Sequence, residues 1–142
     1  MNEEYSEKTR LESLKLSKGK TINNIQVAGG NIIKILFADK TTLTIGNCNM
    51  CCECRYFATD DDVDYYKGTI LLDIQTRSTV YKNDIPCDVK CCRLINEDCD
   101  HAGDGAEVQF LLITTNLGVI TIQAYNKHNG YYAGINLEYE VK

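Results

Sequence analysis

The chain has 142 residues, of which 44% are hydrophobic, and a formal net charge of −5 with a pI near 5.0. That length and hydrophobic content fit one domain with a buried core, and one proline with ten glycines excludes a collagen-like or low-complexity chain. The acidic balance argues against duplex nucleic acid as a partner, because duplexes bind basic surfaces, although a locally basic pocket can still hold a small anion.

Residues 1–19 are charged and carry few large apolar side chains, so we interpret them as an N-terminal tail or a short helix. The start is polar and lacks the apolar stretch of a secretory signal, and no apolar run is long enough to cross a bilayer. We therefore expect a cytoplasmic protein without a membrane partner. In that compartment the eight cysteines would be thiols or metal ligands rather than disulfides.

Residues 20–142 are predicted to form a single β-rich domain, because apolar residues recur at every second position in seven segments. These apolar positions are Ile25 and Val27; Ile33, Ile35 and Phe37; Leu43 and Ile45; Ile70, Leu72 and Ile74; Val108, Phe110 and Leu112; Ile120, Ile122 and Ala124; and Ile135, Leu137, Tyr139 and Val141. The first three segments suggest an antiparallel meander. The pattern predicts a mainly β fold, with α+β as the alternative: an antiparallel sandwich or partial barrel of six or seven strands with one or two short helices.

A short helix is predicted between residues 59 and 68. Thr59 or Asp60 can cap its start, the following aspartates suit the positive end of the helix dipole, and Gly68 suits its C-terminal end. About two turns would place Val63 and Tyr66 on the buried side.

The cysteines fall into two clusters, one of them in a long excursion over residues 78–105. Cys48 and Cys51, and likewise Cys87 and Cys91, have the spacing of zinc-ligand pairs, but adjacent cysteines in both clusters fit one ion poorly. We expect no cofactor, with the cysteines as small buried hydrophobic residues; a structural zinc held by these four is the alternative hypothesis.

Catalytic chemistry has weaker support in the sequence. Cys54 precedes Arg55, and His128 is a candidate base, but no nucleophile motif surrounds Cys54. The carboxylates of residues 60–64 lack the pattern of a calcium loop, and helix capping explains them. We therefore predict no catalytic residue, and a binding protein rather than an enzyme.

Two stretches, residues 51–66 and 126–134, are rich in aromatic and polar side chains and are interpreted as ligand-binding loops. The predicted ligand-binding residues are Arg55, Tyr56, Asn126, His128, Asn129, Tyr131 and Tyr132. Tyrosine rings would stack on a flat ligand, Arg55 and His128 would meet phosphate, and the two asparagines would read polar edges. The alternative for the second stretch is a plain hairpin turn at Asn129-Gly130. The binding hypothesis requires the two stretches to meet in one cleft.

The order of several short blocks is similar to a family of small phage and bacterial proteins of unknown function. These blocks are Cys51-Cys52-Glu53, Arg55-Tyr56, the acidic run with Gly68, the strand through Thr114-Thr115, and His128-Asn129-Gly130-Tyr131-Tyr132. The resemblance covers residues 20 to 141, and the cysteine-rich segment from Cys87 to Cys99 departs from it. It implies a phage setting, in which small proteins sequester immune signals of the host.

We therefore expect a non-enzymatic module that binds a small nucleotide-like ligand, such as a cyclic nucleotide or an ADP-ribose derivative, as a homo-oligomer in the host cytoplasm. A protein-interaction inhibitor that docks on a host protein through the same tyrosines is the alternative. A thiol- or metal-dependent hydrolase is the third hypothesis.

Overall fold

The structure is a computed structural model that describes residues 3–28, 30–47, 53–77, 80–82, 106–128 and 135–142. Its strands are β1 (Ile22–Ala28), β2 (Ile32–Phe37), β3 (Thr42–Gly46), β4 (Glu53–Ala58), β5 (Leu71–Thr76), β6 (Val80–Lys82), β7 (Ala106–Thr115), β8 (Val119–His128) and β9 (Glu138–Val141). They form two antiparallel sheets, one with the order β1-β2-β3-β9 and the other with the order β4-β8-β7-β5, to which β6 is added beside β7. The architecture is a mainly β sandwich, as predicted.

The first sheet follows the predicted alternation closely. Ile33, Ile35 and Phe37 of β2 are buried while the residues between them are exposed, and Leu43 and Ile45 of β3 are buried beside them. The three-stranded meander is thus confirmed. Strand β9 pairs with β3 and completes the sheet.

In the second sheet, the residues of β7 that enter the core lie between the apolar positions that identified the strand. Leu111 and Ile113 enter the core, opposite Ile122 and Ile120 of β8. Of the positions that identified the strand, Val108 is buried and Phe110 is only half-buried. Both faces of β7 are apolar along this stretch, so alternation alone does not choose between them. The pairing with β8, whose inward residues were predicted correctly, makes the choice.

Strand β5 shows a similar correction. Leu71 and Ile74 are buried, whereas Ile70 and Leu72 are exposed. The register between β5 and β7 shifts between Leu71 and Asp73. Such an irregularity places residues an odd number apart on the same face, which a strict two-residue period does not anticipate.

The N-terminal region forms a helix, α1 (Glu3–Ser17), that packs on β9 and β5. Arg10, Ser13, Leu14 and Ser17 lie on the side turned to the sandwich, at helical spacing. The two serines are buried, and their small side chains allow a close approach to the sheets. No helix in the described ranges is long and apolar enough to cross a membrane.

The predicted two-turn helix is a single 3-10 turn, Val63–Tyr66, and its N-cap is Asp62 rather than Thr59 or Asp60. The Asp62 side chain accepts a hydrogen bond from the Asp64 N–H at 3.1 Å. Val63 and Tyr66 pack against the core, as predicted. Gly68 follows with a φ of +85°, a conformation that suits glycine.

The described residues hold nine strands, more than the six or seven predicted. The two unpredicted strands are β4, which was interpreted as part of a loop, and the short β6. Strand β4 places Arg55 at an inward position, and a charged residue there breaks the apolar alternation that identifies strands. Only Val80–Lys82 of the predicted 78–105 excursion is described, and the division into residues 1–19 and 20–142 stays a prediction.

Candidate functional site

A row of polar side chains crosses the inner face of the second sheet. Arg55 of β4 lies directly opposite Asn126 of β8, which in turn lies opposite Glu107 of β7. Residues opposite each other in antiparallel strands point to the same face, so the three share one side of the sheet. The two stretches predicted to bind ligand therefore lie on paired neighbouring strands and meet at Arg55 and Asn126.

This row is buried although it is polar. Arg55 is 7% exposed, Asn126 is fully buried, and Glu107 is half-buried. Beyond Gln109 on the same face, Leu111 and Ile113 of β7 and Ile120 and Ile122 of β8 are aliphatic and buried. Burying polar groups is unfavourable unless their hydrogen bonds are made, so a polar row in place of core marks this end of the sandwich as a candidate functional site.

Asn47 joins this site from the other sheet. It follows β3, is fully buried, and donates from Nδ2 to the carbonyls of Tyr56 at 3.2 Å and Tyr125 at 3.0 Å. Its Oδ1 accepts no hydrogen bond from the described residues. Asn47 and Glu107 were both missed from the sequence: Asn47 is a single polar residue after a strand, and Glu107 precedes the apolar positions that identified β7.

Tyr56, the predicted site tyrosine of the first stretch, lies on the outer face. Tyr56 is opposite Tyr125, and their rings stack with centroids 4.8 Å apart and planes 20° from parallel. Partial burial, together with the Asp60 carboxylate, raises the pKa of Tyr125. Because successive residues of a strand point to opposite faces, Tyr56 and Arg55 are on opposite sides of the sheet.

The remaining predicted site residues are largely outside the description. His128 is the last residue of β8 and pairs with Glu53 through the backbone register. Asn129, Tyr131, Tyr132 and the candidate metal ligands Cys48, Cys51, Cys87 and Cys91 lie outside the described residues. Within the described residues no three histidine, cysteine or carboxylate side chains come together as a metal site. The binding and metal roles of these residues stay predictions.

The acidic run has a structural role at the end of β4, away from the polar row. Where β4 ends, Asp61 accepts a hydrogen bond from the Thr121 N–H at 2.7 Å, and the Thr59 hydroxyl donates to the Thr121 carbonyl at 2.7 Å. These side chains replace the missing strand neighbour of β8. With Asp62 capping the 3-10 turn, the capping explanation of the acidic run is confirmed for Asp62.

Comparison with known proteins places the chain in a family. No curated protein and no solved structure matches the sequence. A family model matches residues 15–136, a span that contains Arg55, Asn126, Glu107 and Asn47. The chain therefore belongs to the family described as Domain of unknown function (DUF7448).

Proposed function

We propose that the protein is a non-enzymatic binding module for a small nucleotide-like ligand, held at the inward polar row of Arg55, Asn126 and Glu107. The observation that supports it is the register, which aligns a guanidinium, an amide and a carboxylate across three adjacent strands. Adjacent strands are about 4.8 Å apart, so the row extends over roughly 10 Å, comparable to a nucleoside phosphate.

Each member of the row suits one part of such a ligand. The Arg55 guanidinium has a rigid fork of donors that matches phosphate oxygens. The Asn126 amide both donates and accepts, as the polar edge of a base requires, and the Glu107 carboxylate accepts hydrogen bonds from ribose hydroxyls. Because Arg55 and Asn126 are buried, charge-assisted hydrogen bonds there are stronger than in water.

The proposal keeps the other predicted residues as ligand contacts. These are His128, the last residue of β8, and Asn129, Tyr131 and Tyr132, which follow it in the sequence. Tyr56 is assigned a different role, since its stacking with Tyr125 supports the β4–β8 pair from the outer face. No covalent step is part of the proposal.

The biological setting that we propose is phage-encoded inhibition of host defence in the cytoplasm, by sequestration of a cyclic nucleotide or an ADP-ribose derivative in an oligomer. It is supported by the similarity of the sequence blocks to small phage and bacterial proteins. Phage origin, oligomer and ligand are each part of the proposal.

The test is calorimetry with a panel of cyclic mono- and dinucleotides and ADP-ribose derivatives, read together with thermal shift. Arg55→Ala should weaken binding of the best ligand by about 1.5–3 kcal/mol, roughly 10- to 150-fold, the range for a hydrogen bond to a charged group. Arg55→Lys keeps the charge but loses the fork, so its loss should be smaller. Arg77→Ala removes an exposed guanidinium at the end of β5 and should change nothing.

A panel that produces neither heat nor thermal shift would refute the nucleotide proposal. A changed ligand mass after incubation would instead support the hydrolase. The outward Tyr56–Tyr125 pair favours a second candidate, the docking of a host protein on that face. In that case Tyr125→Ala should lose a stoichiometric partner in a pull-down, while Arg55→Ala retains it.

A further inference from the structure

The lateral edges of the two sheets are not equally covered. Helix α1 packs on the edge strands β9 and β5, and the Arg10 guanidinium donates to the Ile74 carbonyl of β5. On β4, the Phe57 N–H donates to the Gly30 carbonyl. Exposed strand edges invite pairing with other chains, so folded proteins usually cover them in ways such as these.

Among the described residues, strand β1 is covered by backbone hydrogen bonds only where it begins. The segment after the 3-10 turn pairs with Ile22, whose N–H donates to the Thr69 carbonyl and whose carbonyl accepts from the Gly68 N–H, both at 2.7 Å. The 3-10 turn packs against β1, but it adds no ladder of hydrogen bonds along the rest of the strand in the described structure.

The register identifies which backbone groups of β1 point away from the sheet. The Phe37 N–H donates to the Thr41 carbonyl, and the Phe37 carbonyl accepts from the Lys40 N–H, so the backbone groups of Phe37 point toward β3. Successive residues of a strand direct their backbone groups to opposite sides, so those of Lys34 and Leu36 point toward β1. Their partners on β1 are Gln26 and Asn24.

Asn24 and Gln26 bond to β2, so Ile25 and Val27 direct their N–H and carbonyl groups to the open side of β1, away from β2. Among the described residues none bonds them on that side. Four backbone groups, two donors and two acceptors, are thus presented along one short segment of edge.

The side chains of β1 do nothing to prevent pairing. The strand reads Ile-Asn-Asn-Ile-Gln-Val-Ala, with no charge and no proline, whereas edges that must stay single usually carry lysine or proline. Gln26 is exposed on the solvent face, beside a shallow groove that includes Lys34 and Leu36.

We propose that β1 pairs antiparallel with β1 of a second copy of this chain, around a two-fold axis at Gln26. Ile25 of each protomer then exchanges two hydrogen bonds with Val27 of the partner subunit, which uses all four outward groups. A symmetric antiparallel pair is self-complementary, and a neutral strand meets its copy without repulsion. The four-stranded sheet of one protomer and the same sheet of its partner then form one sheet of eight strands.

Because the two-fold axis passes between the two Gln26 residues, dimer formation should be most sensitive to substitution at position 26. The two Gln26 residues form a non-hydrogen-bonded pair, in which Cα atoms are about 4.5 Å apart and side chains are closest. Their amides can bond to each other on the solvent face, next to the grooves of both protomers. A charge at this position would face its own copy.

The test is the association constant of the full chain, from sedimentation equilibrium between about 1 μM and 1 mM. We expect a reversible dimer for the natural sequence and at least about tenfold weaker association for Gln26→Lys and for Gln26→Glu, because like charges meet at the axis. An equimolar mixture of the two variants should restore dimers. Gln75→Lys, the same change at an exposed position of β5, should associate like the natural protein.

The mixture separates charge repulsion from misfolding, because a misfolded variant would not be restored by its opposite. A natural protein that stays monomeric up to 1 mM would overturn the proposal. So would a dimer that Gln26→Lys leaves intact, or two variants that stay monomeric when mixed. The outcome is independent of ligand binding at Arg55.

Discussion

At the scale of single residues, Asp39 shows how a turn holds a carboxylate in its charged form. In the turn between β2 and β3, Asp39 accepts from the Thr41 hydroxyl at 2.5 Å and from the Thr41 N–H at 3.0 Å, and it pairs with Lys20 Nζ at 2.9 Å. These hydrogen bonds, those of Thr41 first, lower the pKa of Asp39 to about 2. Lys40 takes the positive φ of 74° that the turn requires.

The pH dependence of stability follows from that pKa. A carboxylate whose pKa is lower in the folded state stabilises the fold above its unfolded pKa, about 3.9, and loses that contribution as the pH falls to about 2. We expect Asp39→Asn to be less stable than the natural protein at pH 7, with the difference vanishing between about pH 4 and pH 2. Urea denaturation across this range measures it, with Asp60→Asn as the control. A difference that persists unchanged at pH 2 would contradict the assignment.

At the scale of elements, α1 is held by polar contacts as well as by packing. Its most exposed large residues include Leu11 and Leu16, whereas its buried side carries two serines. Arg10 is fixed by Glu7 one turn earlier, with Nε to Oε2 at 3.0 Å, and reaches the Ile74 carbonyl on the edge of β5. The hydrogen bond from Arg10 lowers the pKa of Glu7.

Loss of the Arg10 contact should loosen the helix. We expect Arg10→Ala to lower the free energy of unfolding by about 1 kcal/mol, a modest value because the guanidinium is partly solvated. Lys8→Ala, on an exposed position of the same helix, should stay within about 0.5 kcal/mol of the natural protein. Urea midpoints at unchanged slope provide the comparison. Equal effects of the two substitutions would show that Arg10 does not anchor α1.

At the scale of the whole molecule, the two sheets are joined by their shared apolar core and by Asn47. The Asn47 amide reaches from the end of β3 to backbone carbonyls of both β4 and β8. It therefore connects the first sheet to the strand pair that carries Arg55 and Asn126. Asn47 therefore both stabilises the sandwich and helps to position the strands that carry the polar row.

Replacement of Asn47 should affect the entire sandwich. Asn47→Ala removes two buried hydrogen bonds and should cost about 1–3 kcal/mol of unfolding free energy. Asn47→Asp should cost more at pH 7, because a buried carboxylate would face two carbonyl oxygens, and should recover in part at low pH as the carboxyl becomes a donor. Denaturation of both variants, with the exposed Asn23→Ala as control, tests this. An Asp variant as stable as the natural protein at pH 7 would refute the role.

Much of the β framework was predictable because one face of each strand is buried in the apolar core and the other is exposed to solvent. Ile33, Ile35 and Phe37 recur at every second position and are buried, while Lys34 and Leu36 between them are exposed. The same reasoning failed at β7, where both faces are apolar, and at β4, where Arg55 occupies an inward position.

By itself, the sequence determined the β-rich class and the three-stranded meander of the first sheet, since these depend on neighbours along the chain. Only the tertiary structure decided that Arg55 faces Asn126, that Glu107 and Asn47 join them, and that Tyr56 lies on the other side of the sheet. Those facts depend on the register between strands far apart in sequence. Register is set by the simultaneous burial of many side chains, which no single segment contains.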